Sequence, residues 1–295
     1  MARSSSTAWT GLPSALERFG ELEAALAGRR PVVFLDYDGT LTPIVERPEA
    51  AVLSEPMRRA VERLAERCPV VVVSGRSRRD VAARVGLPGL AYAGSHGFDV
   101  AGFDGDGAGG GAEPPGEIPP ELRAARGARP VVAAAARGLE AALGGGETGA
   151  GGVPGAQVEA KGWTVAVHYR RVAPERAAEV EAVVDRVVAA HPELVKTHGK
   201  KVFELRPAIE WDKGRAVLWL LDALGLGGPD ALPLYLGDDT TDEDAFRALA
   251  GRPGGGVGIL VAEAPRPSAA SYRLSCPGEV RELLERLAAR PGGSP

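Results

Sequence analysis

Short runs of consecutive apolar residues alternate along this chain with segments of helical periodicity. The apolar runs predict β-strands covered on both faces, and they comprise residues 31–35, 70–73, 232–236 and 257–261. Helix-start signals stand between them: Ser54 before a helical stripe, Ser77 with Asp80 as a capping box, and Lys213 at the head of a third helix. Alternation of strand and helix at both ends of the chain predicts an α/β fold with a doubly wound parallel sheet.

The middle of the chain has a different pattern, in which short alternating strands are joined by turns. It predicts two helices and two hairpins in alternating order: a helix over residues 130–143, a hairpin over 157–170, a helix over 177–190 and a hairpin over 195–206. The hairpin turns are predicted at Lys161-Gly162 and at Gly199-Lys200. This order indicates a small α+β domain.

The change of pattern predicts a discontinuous core with an inserted domain. The predicted core comprises residues 1–112 and 208–295, and the inserted domain comprises residues 113–207. Two glycine-rich stretches, 102–116 and 144–155, have no core-forming pattern and are predicted to be connectors.

Charge and composition exclude several classes of partner. The chain has 35 Lys and Arg against 39 Asp and Glu, and its cations are scattered, so the basic face that a nucleic-acid binder needs is missing. No apolar run approaches the ~20 residues of a membrane span, and the first residues lack the apolar stretch of a signal peptide. Two distant cysteines, Cys68 and Cys276, are expected to be reduced thiols. We therefore expect a cytoplasmic monomer with no nucleic-acid or membrane partner.

Two carboxylates follow the first predicted strand in the segment Asp36-Tyr37-Asp38-Gly39-Thr40. Open α/β sheets bind ligands at the carboxyl ends of their strands. One carboxylate there can attack phosphorus and form an aspartyl phosphate, while the second protonates the leaving oxygen and later activates water. The alternative is an ordinary Asx turn at the end of a strand.

Two further signals are weaker when each is taken alone. Ser74-Gly75-Arg76 follows the second predicted strand and offers a hydroxyl and a helix start to an oxyanion, although a helix-capping turn has the same signature. Lys213 stands where the chain re-enters the core and could neutralise both the nucleophile and a transferring phosphoryl group. The alternative for Lys213 is a solvated surface lysine.

An acidic cluster follows the strand predicted over residues 232–236. Its members are Asp238, Asp239, Asp242, Glu243 and Asp244. Crowded carboxylates repel one another and favour a bound cation, and Mg²⁺ is the oxygen-seeking cation that suits phosphate chemistry. Stabilisation of a helix N-terminus explains Glu243 and Asp244, but it does not explain Asp238 and Asp239, which precede the helix.

Four signals in this order resemble the haloacid dehalogenase superfamily of phosphatases. They are D-Y-D-G-T-L, S-G-R, the lysine at a helix start and G-D-D-T-T-D-E-D. Three further segments resemble the trehalose-6-phosphate phosphatase family within it. They are A-G-S-H-G at residues 93–97, K-G-W-T-V-A-V-H-Y-R at 161–170 and G-K-K-V-F-E-L-R-P at 199–207. The resemblance extends over about residues 30 to 265.

The resemblance implies a role for each matching residue. The implied catalytic residues are Asp36 as nucleophile, Asp38 as general acid and base, and Ser74 and Lys213 as phosphate stabilisers. The implied Mg²⁺ ligands are Asp36, Asp38 through its backbone carbonyl, Asp238 and, directly or next to the ligands, Asp242. The inserted domain corresponds to the cap domain of the family.

The implied substrate-binding residues are Gly75, Arg76, His96, Lys161, Lys200 and Glu204. For His96, the sequence leaves a purely structural role in its loop equally open. For Glu204, strand alternation places its side chain on the polar face with Val202 and Arg206. That face can read sugar hydroxyls, although simple solvent exposure with cross-strand ion pairs is the alternative.

These expectations together describe a Mg²⁺-dependent phosphatase acting on trehalose 6-phosphate through an aspartyl-phosphate intermediate. Another sugar phosphate, such as sucrose 6-phosphate or a glycosyl-phosphoglycerate, is the alternative within the same chemistry. A non-catalytic sugar-phosphate sensor is the alternative from another class. The joint presence of Asp36, Asp38, Lys213 and Asp238 argues against the sensor, because a binding module needs no nucleophile.

Overall fold

The computed structural model describes residues 11–45, 47–101, 117–144, 152–199 and 201–290. The chain divides into two compact units, a core unit of Met1–Gly116 with Asp212–Pro295 and an inserted unit of Glu117–Trp211. The sequence placed the second junction between residues 207 and 208, whereas the structure has it between residues 211 and 212. The predicted first junction, between residues 112 and 113, lies outside the described residues.

The described residues form strands and helices in alternating groups. The strands are β1 (Arg30–Leu35), β2 (Val70–Val73), β3 (Ala91–Gly94), β4 (Asp99–Ala101), β5 (Gln157–Ala160), β6 (Val165–His168), β7 (Leu194–Gly199), β8 (Val202–Pro207), β9 (Ala231–Gly237), β10 (Val257–Val261) and β11 (Tyr272–Leu274). The helices are α1 (Phe19–Leu26), α2 (Glu55–Ala65), α3 (Arg78–Val85), α4 (Pro120–Leu143), α5 (Ala177–Ala190), α6 (Lys213–Ala223), α7 (Asp242–Gly251) and α8 (Pro277–Ala288). In this part of the chain no helix is both long and apolar enough to cross a membrane.

The core unit is built on one twisted sheet, which has seven strands within the described residues, in the order β11-β10-β9-β1-β2-β3-β4. Neighbouring strands are parallel except for β3 and β4, which are antiparallel. Strand β1 lies between β9 and β2, with Leu35 opposite Leu236 on one side and opposite Val72 on the other. The predicted doubly wound α/β core is thereby confirmed.

Both faces of this sheet are covered by helices, which explains why its strands are apolar on consecutive residues. Val33 and Leu35 of β1 pack on one side, in a cluster with residues of α2 and α8. Val32 and Phe34 pack on the other side, in a cluster with residues of α6 and α7. Helix starts follow the predicted signals, because the Ser54 hydroxyl caps α2 and the Ser77 hydroxyl caps α3.

The inserted unit has a four-stranded antiparallel sheet in the order β5-β6-β8-β7, with α4 and α5 packed on it through an apolar cluster. Phe203 and Leu205 of β8 are buried, while Val202, Glu204 and Arg206 between them are partly exposed. This alternation is the one predicted from the sequence, and the polar face of β8 includes Glu204.

Two sequence predictions for this unit were wrong in detail. Helix α4 begins at Pro120 and passes through Pro130, which was predicted to start it. Pro130 has no N–H to donate within the helix, but Leu122 and Ala125 are buried on the preceding turns, and this burial favours a continuous helix. In the second hairpin Gly199 pairs with Val202, so Gly199, which was predicted to lie in the turn, is the last residue of β7.

The strands β3, β4 and β11 were not predicted. β3 consists of the residues Ala91-Tyr92-Ala93-Gly94, three of which are small, so they give no apolar run of the usual strength. They are buried because neighbouring strands and helices cover them, which is a tertiary effect. The glycine-rich stretch at residues 102–116 and most of that at 144–155 lie outside the described residues.

A buried arginine joins two loops and the start of β9 at the edge of the core sheet opposite to the strands' carboxyl ends. Arg252 follows α7 and is 9% exposed. One terminal nitrogen donates to the carbonyls of Gly255 at 2.8 Å and Ala231 at 3.3 Å. The other donates to the carbonyls of Gly227 at 2.8 Å and Gly228 at 2.9 Å. These carbonyls are buried or part-buried, so their hydrogen bonds to a charged donor stabilise the fold.

We expect the substitution Arg252→Met to lower the free energy of unfolding by about 3 kcal/mol, because it leaves several buried carbonyls without a donor. Arg247→Met, within the helix α7 that precedes Arg252, is the matched control. The Arg247 side chain is 61% exposed and forms an ion pair with Asp244, so its loss should change stability by less than ~0.5 kcal/mol. Urea denaturation measures both variants, and equal changes would contradict the role given to Arg252.

Candidate active site

The predicted catalytic residues lie where strands of the core sheet reach their carboxyl ends. Asp36 follows β1, Ser74 follows β2 and Asp238 follows β9. The backbone N–H of Asp36 donates to the carbonyl of Leu236 at 2.9 Å, so the sheet ladder continues to the first residue of the site. The parallel sheet therefore brings together residues that are far apart in sequence.

Lys213 is buried at the centre of this group. It is the first residue of α6, whose N-cap is the Asp212 carboxylate, and its side chain is 3% exposed. The ammonium donates to Asp36 Oδ1 at 2.8 Å and to Asp242 Oδ1 at 2.6 Å. The solvated-lysine alternative is excluded by this burial. Lys213 neutralises charge on the residue predicted to be the nucleophile.

Asp242 is the most deeply buried acid of the cluster, with an exposed fraction of 0%. Besides Lys213, its Oδ1 accepts a hydrogen bond from the Tyr235 hydroxyl at 2.7 Å. Its Oδ2 accepts from the backbone N–H of Asp239 at 2.9 Å. Tyr235 was not singled out in the sequence because it stands within an apolar run. Its hydroxyl was the available signal, since a buried phenol needs a polar partner.

The next two acids of the cluster have structural partners. Glu243 Oε2 accepts from the backbone N–H of Ala269 at 2.8 Å, and Asp244 forms an ion pair with Arg247 at 2.8 Å. Both residues belong to the first turn of α7, as the helix-terminus interpretation of the sequence predicted.

Three carboxylates can approach a common point. Within the described residues, Asp36, Asp238 and Asp242 each offer an oxygen atom, and these atoms lie within 4.8 Å of one another. Gly39 makes the close packing possible: it has φ +81°, and a Cβ atom there would collide with the Asp238 carboxylate. Hard oxygen ligands crowded in this way are the donor set that Mg²⁺ takes in proteins, so the residues present fit that ion.

The crowding changes how these acids ionise. Burial raises the pKa of Asp36 well above its usual range, and the Asp242 and Asp238 carboxylates add to this increase, although the nearby Lys213 opposes it. Burial, together with Asp242 and Asp239, raises the pKa of Asp238 to about 7. For Lys213 burial lowers the pKa, but Asp242 and Asp36 outweigh this effect and raise it well above the usual range. The site therefore holds more negative charge than one ammonium can balance.

Asp38, which was predicted to be the second catalytic carboxylate, has a different partner. Arg76 donates from Nε and from a terminal nitrogen to the two Asp38 oxygens, each at 2.7 Å. The same guanidinium also donates to Asp80 at 3.0 Å and to the carbonyl of Pro48 at 2.8 Å. Arg76 was predicted to bind substrate. That role stays a prediction, and in the structure the guanidinium is engaged with Asp38 and Asp80.

The loop after β2 is held by the segment after β3. The His96 N–H donates to the carbonyl of Ser74 at 2.9 Å, and the Ser95 N–H donates to the carbonyl of Arg76 at 2.7 Å. A Cβ atom at Gly75 would collide with the His96 imidazole, so the ring packs directly on the loop backbone. The structure thus brings together Ser74, Gly75, Arg76 and His96, and their contacts with a substrate stay predictions.

In the inserted unit, two of the three predicted sugar-binding residues form one cluster. Glu204 Oε1 accepts from Lys161 Nζ at 3.3 Å and from the Thr164 hydroxyl at 2.9 Å. The side chains of Lys161 and Glu204 are 15% and 17% exposed. Thr164 was missed by the sequence analysis because its hydroxyl reaches Glu204 across the sheet. The third predicted residue, Lys200, lies outside the described residues.

Comparison with known proteins extends over most of the chain. The family model described as trehalose-phosphatase matches residues 34–122 and 146–278. A protein named probable trehalose-phosphate phosphatase 9, from Oryza sativa subsp. japonica, is 46% identical over 285 residues, covering 93% of this chain and 74% of that protein. A trehalose 6-phosphate phosphatase of Zea mays is 45% identical over 281 residues, covering 95% and 76%.

A solved structure shows the same fold. The C-terminal domain of the trehalose-6-phosphate phosphatase of C. albicans gives a TM-score of 0.68 at 23% identity. The superposition covers 94% of this chain and 98% of that domain.

The raised pKa of Asp238 gives a test of the acidic site by stability. A folded-state pKa of about 7, against 3.8 for an ordinary Asp, means that stability present at low pH is lost as the pH rises towards 7 and beyond. Because the loss falls between these two pKa values, we expect the stability of Asp238→Asn relative to the parent, measured in EDTA, to be larger at pH 8 than at pH 5. Mg²⁺ should raise the melting temperature of the parent by about 5 °C more at pH 8 than at pH 5. Differential scanning calorimetry measures these shifts, and a Mg²⁺ effect independent of pH would contradict the assignment.

Proposed function

The chain belongs to the trehalose-phosphatase family, and we propose that it hydrolyses trehalose 6-phosphate with Mg²⁺ through a phosphoryl group carried on Asp36. The observation that carries the mechanism is the buried bridge from Lys213 to Asp36 and Asp242 at the carboxyl end of β1. It provides a fixed carboxylate, a neutralising cation and a group of oxygen ligands in one place.

The first half of the reaction breaks the bond between phosphorus and the sugar oxygen. A carboxylate oxygen of Asp36 attacks phosphorus and forms the aspartyl phosphate, while the electrons of the breaking P–O bond go to the sugar oxygen. Asp38, in its protonated form, donates its proton to that oxygen, and trehalose leaves as the alcohol.

The second half regenerates the enzyme. Asp38, now a carboxylate, takes a proton from a water molecule whose oxygen attacks the phosphorus. The bond between phosphorus and Asp36 breaks, and inorganic phosphate leaves. Lys213 stabilises negative charge on Asp36 and on the phosphoryl oxygens in both halves, and the Ser74 hydroxyl is the proposed donor to a phosphoryl oxygen.

The acidic cluster supports magnesium as the metal. Asp36, Asp238 and Asp242 would hold the ion, together with the backbone carbonyl of Asp38. When bound, Mg²⁺ supplies positive charge that offsets both the excess of carboxylates and the charge of the phosphoryl group.

The family match favours trehalose 6-phosphate over other sugar phosphates. A non-catalytic sensor would have no use for a buried nucleophile bound to an ammonium. The cytoplasmic location and the monomeric state belong to the proposal and stay predictions.

The substitution Asp36→Asn should reduce turnover of trehalose 6-phosphate by at least about a thousandfold, because an amide cannot carry the phosphoryl group. Phosphate release measures turnover, and calorimetry checks that the variant is folded. Asp230→Asn is the control, since that exposed carboxylate pairs with Arg30 far from the site in the sheet. Turnover of Asp36→Asn within a few-fold of the parent would overturn the mechanism.

Sugar recognition by Glu204 is tested by comparing two substrates. Loss of hydrogen bonds from sugar hydroxyls to this carboxylate should lower kcat/KM of Glu204→Ala for trehalose 6-phosphate by roughly ten- to a hundredfold. Hydrolysis of p-nitrophenyl phosphate, which lacks those hydroxyls, should stay within about twofold of the parent. Glu159→Ala is the control, because Glu159 lies in the same sheet and pairs with His168. Equal losses on both substrates would show that Glu204 supports the fold instead.

A further inference from the structure

Tyr235 is a polar residue within a fully buried strand of the core sheet. All seven residues of β9 are buried. The Tyr235 ring stacks on Phe34 with centroids 6.5 Å apart and meets Phe246 edge to face at 5.8 Å. An aromatic ring in this place needs no hydroxyl for packing, and a buried hydroxyl is costly unless it has a partner.

The hydroxyl has its partner in the active site. It donates to Asp242 Oδ1 at 2.7 Å, the same atom that accepts from the Lys213 ammonium at 2.6 Å. A carboxylate oxygen has two acceptor positions, so both positions of Oδ1 are taken. On Oδ2 the Asp239 N–H takes one position. Because the Tyr235 hydroxyl and Lys213 occupy both positions of Oδ1, Oδ2 is the oxygen of Asp242 that can face a cation.

The strand supports Asp242 at a second point. Residues 235 and 237 lie on the same face of β9 because side chains alternate along a strand. A Cβ atom at Gly237 would collide with the Asp242 carboxylate, so that carboxylate packs directly on the strand backbone. Tyr235 and Gly237 together hold the first residue of α7 against β9.

We propose that Tyr235 is a positioning residue of the active site: its hydroxyl fixes the orientation of the Asp242 carboxylate, and thereby the place of the Lys213 ammonium beside Asp36. The inference rests on the proposed function, because that function gives Lys213 and Asp36 their roles. Without the hydroxyl, Oδ1 keeps only Lys213 and the carboxylate can turn. Lys213 then loses a fixed position between its two acids, and the cation loses a fixed ligand.

The test compares Tyr235→Phe with Tyr92→Phe. Tyr92 is a matched control because it is 3% exposed, lies in the same sheet and donates its hydroxyl to the Leu87 carbonyl at 2.8 Å. Both variants keep the ring and lose one buried hydrogen bond, so both should unfold at lower urea concentration than the parent. Steady-state kinetics and Mn²⁺ binding without substrate, followed by electron paramagnetic resonance, are measured on each.

We expect Tyr235→Phe to lower kcat by about tenfold on both trehalose 6-phosphate and p-nitrophenyl phosphate, with KM changed by less than about twofold. Its Mn²⁺ dissociation constant should rise several-fold, whereas Tyr92→Phe should match the parent in every one of these values. In a double-mutant cycle that combines Tyr235→Phe with Asp242→Asn, the two kcat losses should be far from additive, because both substitutions disturb the same hydrogen bond.

Three results would overturn the inference. They are a Tyr235→Phe variant that matches Tyr92→Phe in kcat, one that matches it in Mn²⁺ binding, and additive losses in the cycle. A parent enzyme without phosphatase activity would instead overturn the proposed function, and Mn²⁺ binding by the two tyrosine variants would still decide whether the hydroxyl fixes Asp242.

Discussion

The ammonium of Lys213, held between two buried carboxylates, is the interaction on which this active site depends. Asp36 and Asp242 both accept from it, and Asp238 brings a third carboxylate within reach of them. Charges withdrawn from water are costly unless they are compensated. Burial raises the pKa of Asp36 and of Asp238, and the neighbouring carboxylates add to the increase. A divalent cation would offset this cost. In the proposed mechanism, the positive charge of such a cation would also stabilise the phosphoryl group.

The parallel sheet makes this arrangement possible. β1 lies between β9 and β2, so residues that follow these strands come together at one edge. Asp36 and Lys213 are separated by 177 positions in the sequence, and the whole inserted unit lies between them. The insertion leaves the site intact because it joins the core outside the central strands. Its own sheet and apolar cluster are complete within it.

Two aspartates only two positions apart have different surroundings. The Asp36 side chain is 7% exposed and bonded to a buried ammonium, whereas the Asp38 side chain is 43% exposed and bonded to Arg76. A nucleophile needs a fixed position, and a proton carrier needs access to the leaving group and to water. When two neighbouring carboxylates have different surroundings, one can act as the nucleophile and the other as the proton carrier. The turn at Gly39 allows this division, because it changes the direction of the chain directly after Asp38.

The sequence by itself determined the α/β class, four core strands and the acids and lysine of the site, because these are signalled by local patterns: apolar runs, capping residues and polar residues directly after strands. Only the tertiary structure decided that Tyr235 bonds Asp242, that Arg76 bonds Asp38 and that α4 continues through Pro130. The strand β3, in which three of four residues are small, was likewise recognisable as a strand only from the tertiary structure. Each of these features depends on how the segments pack in three dimensions, where the burial of one group sets the energy of another, and no local pattern of residues records that energy.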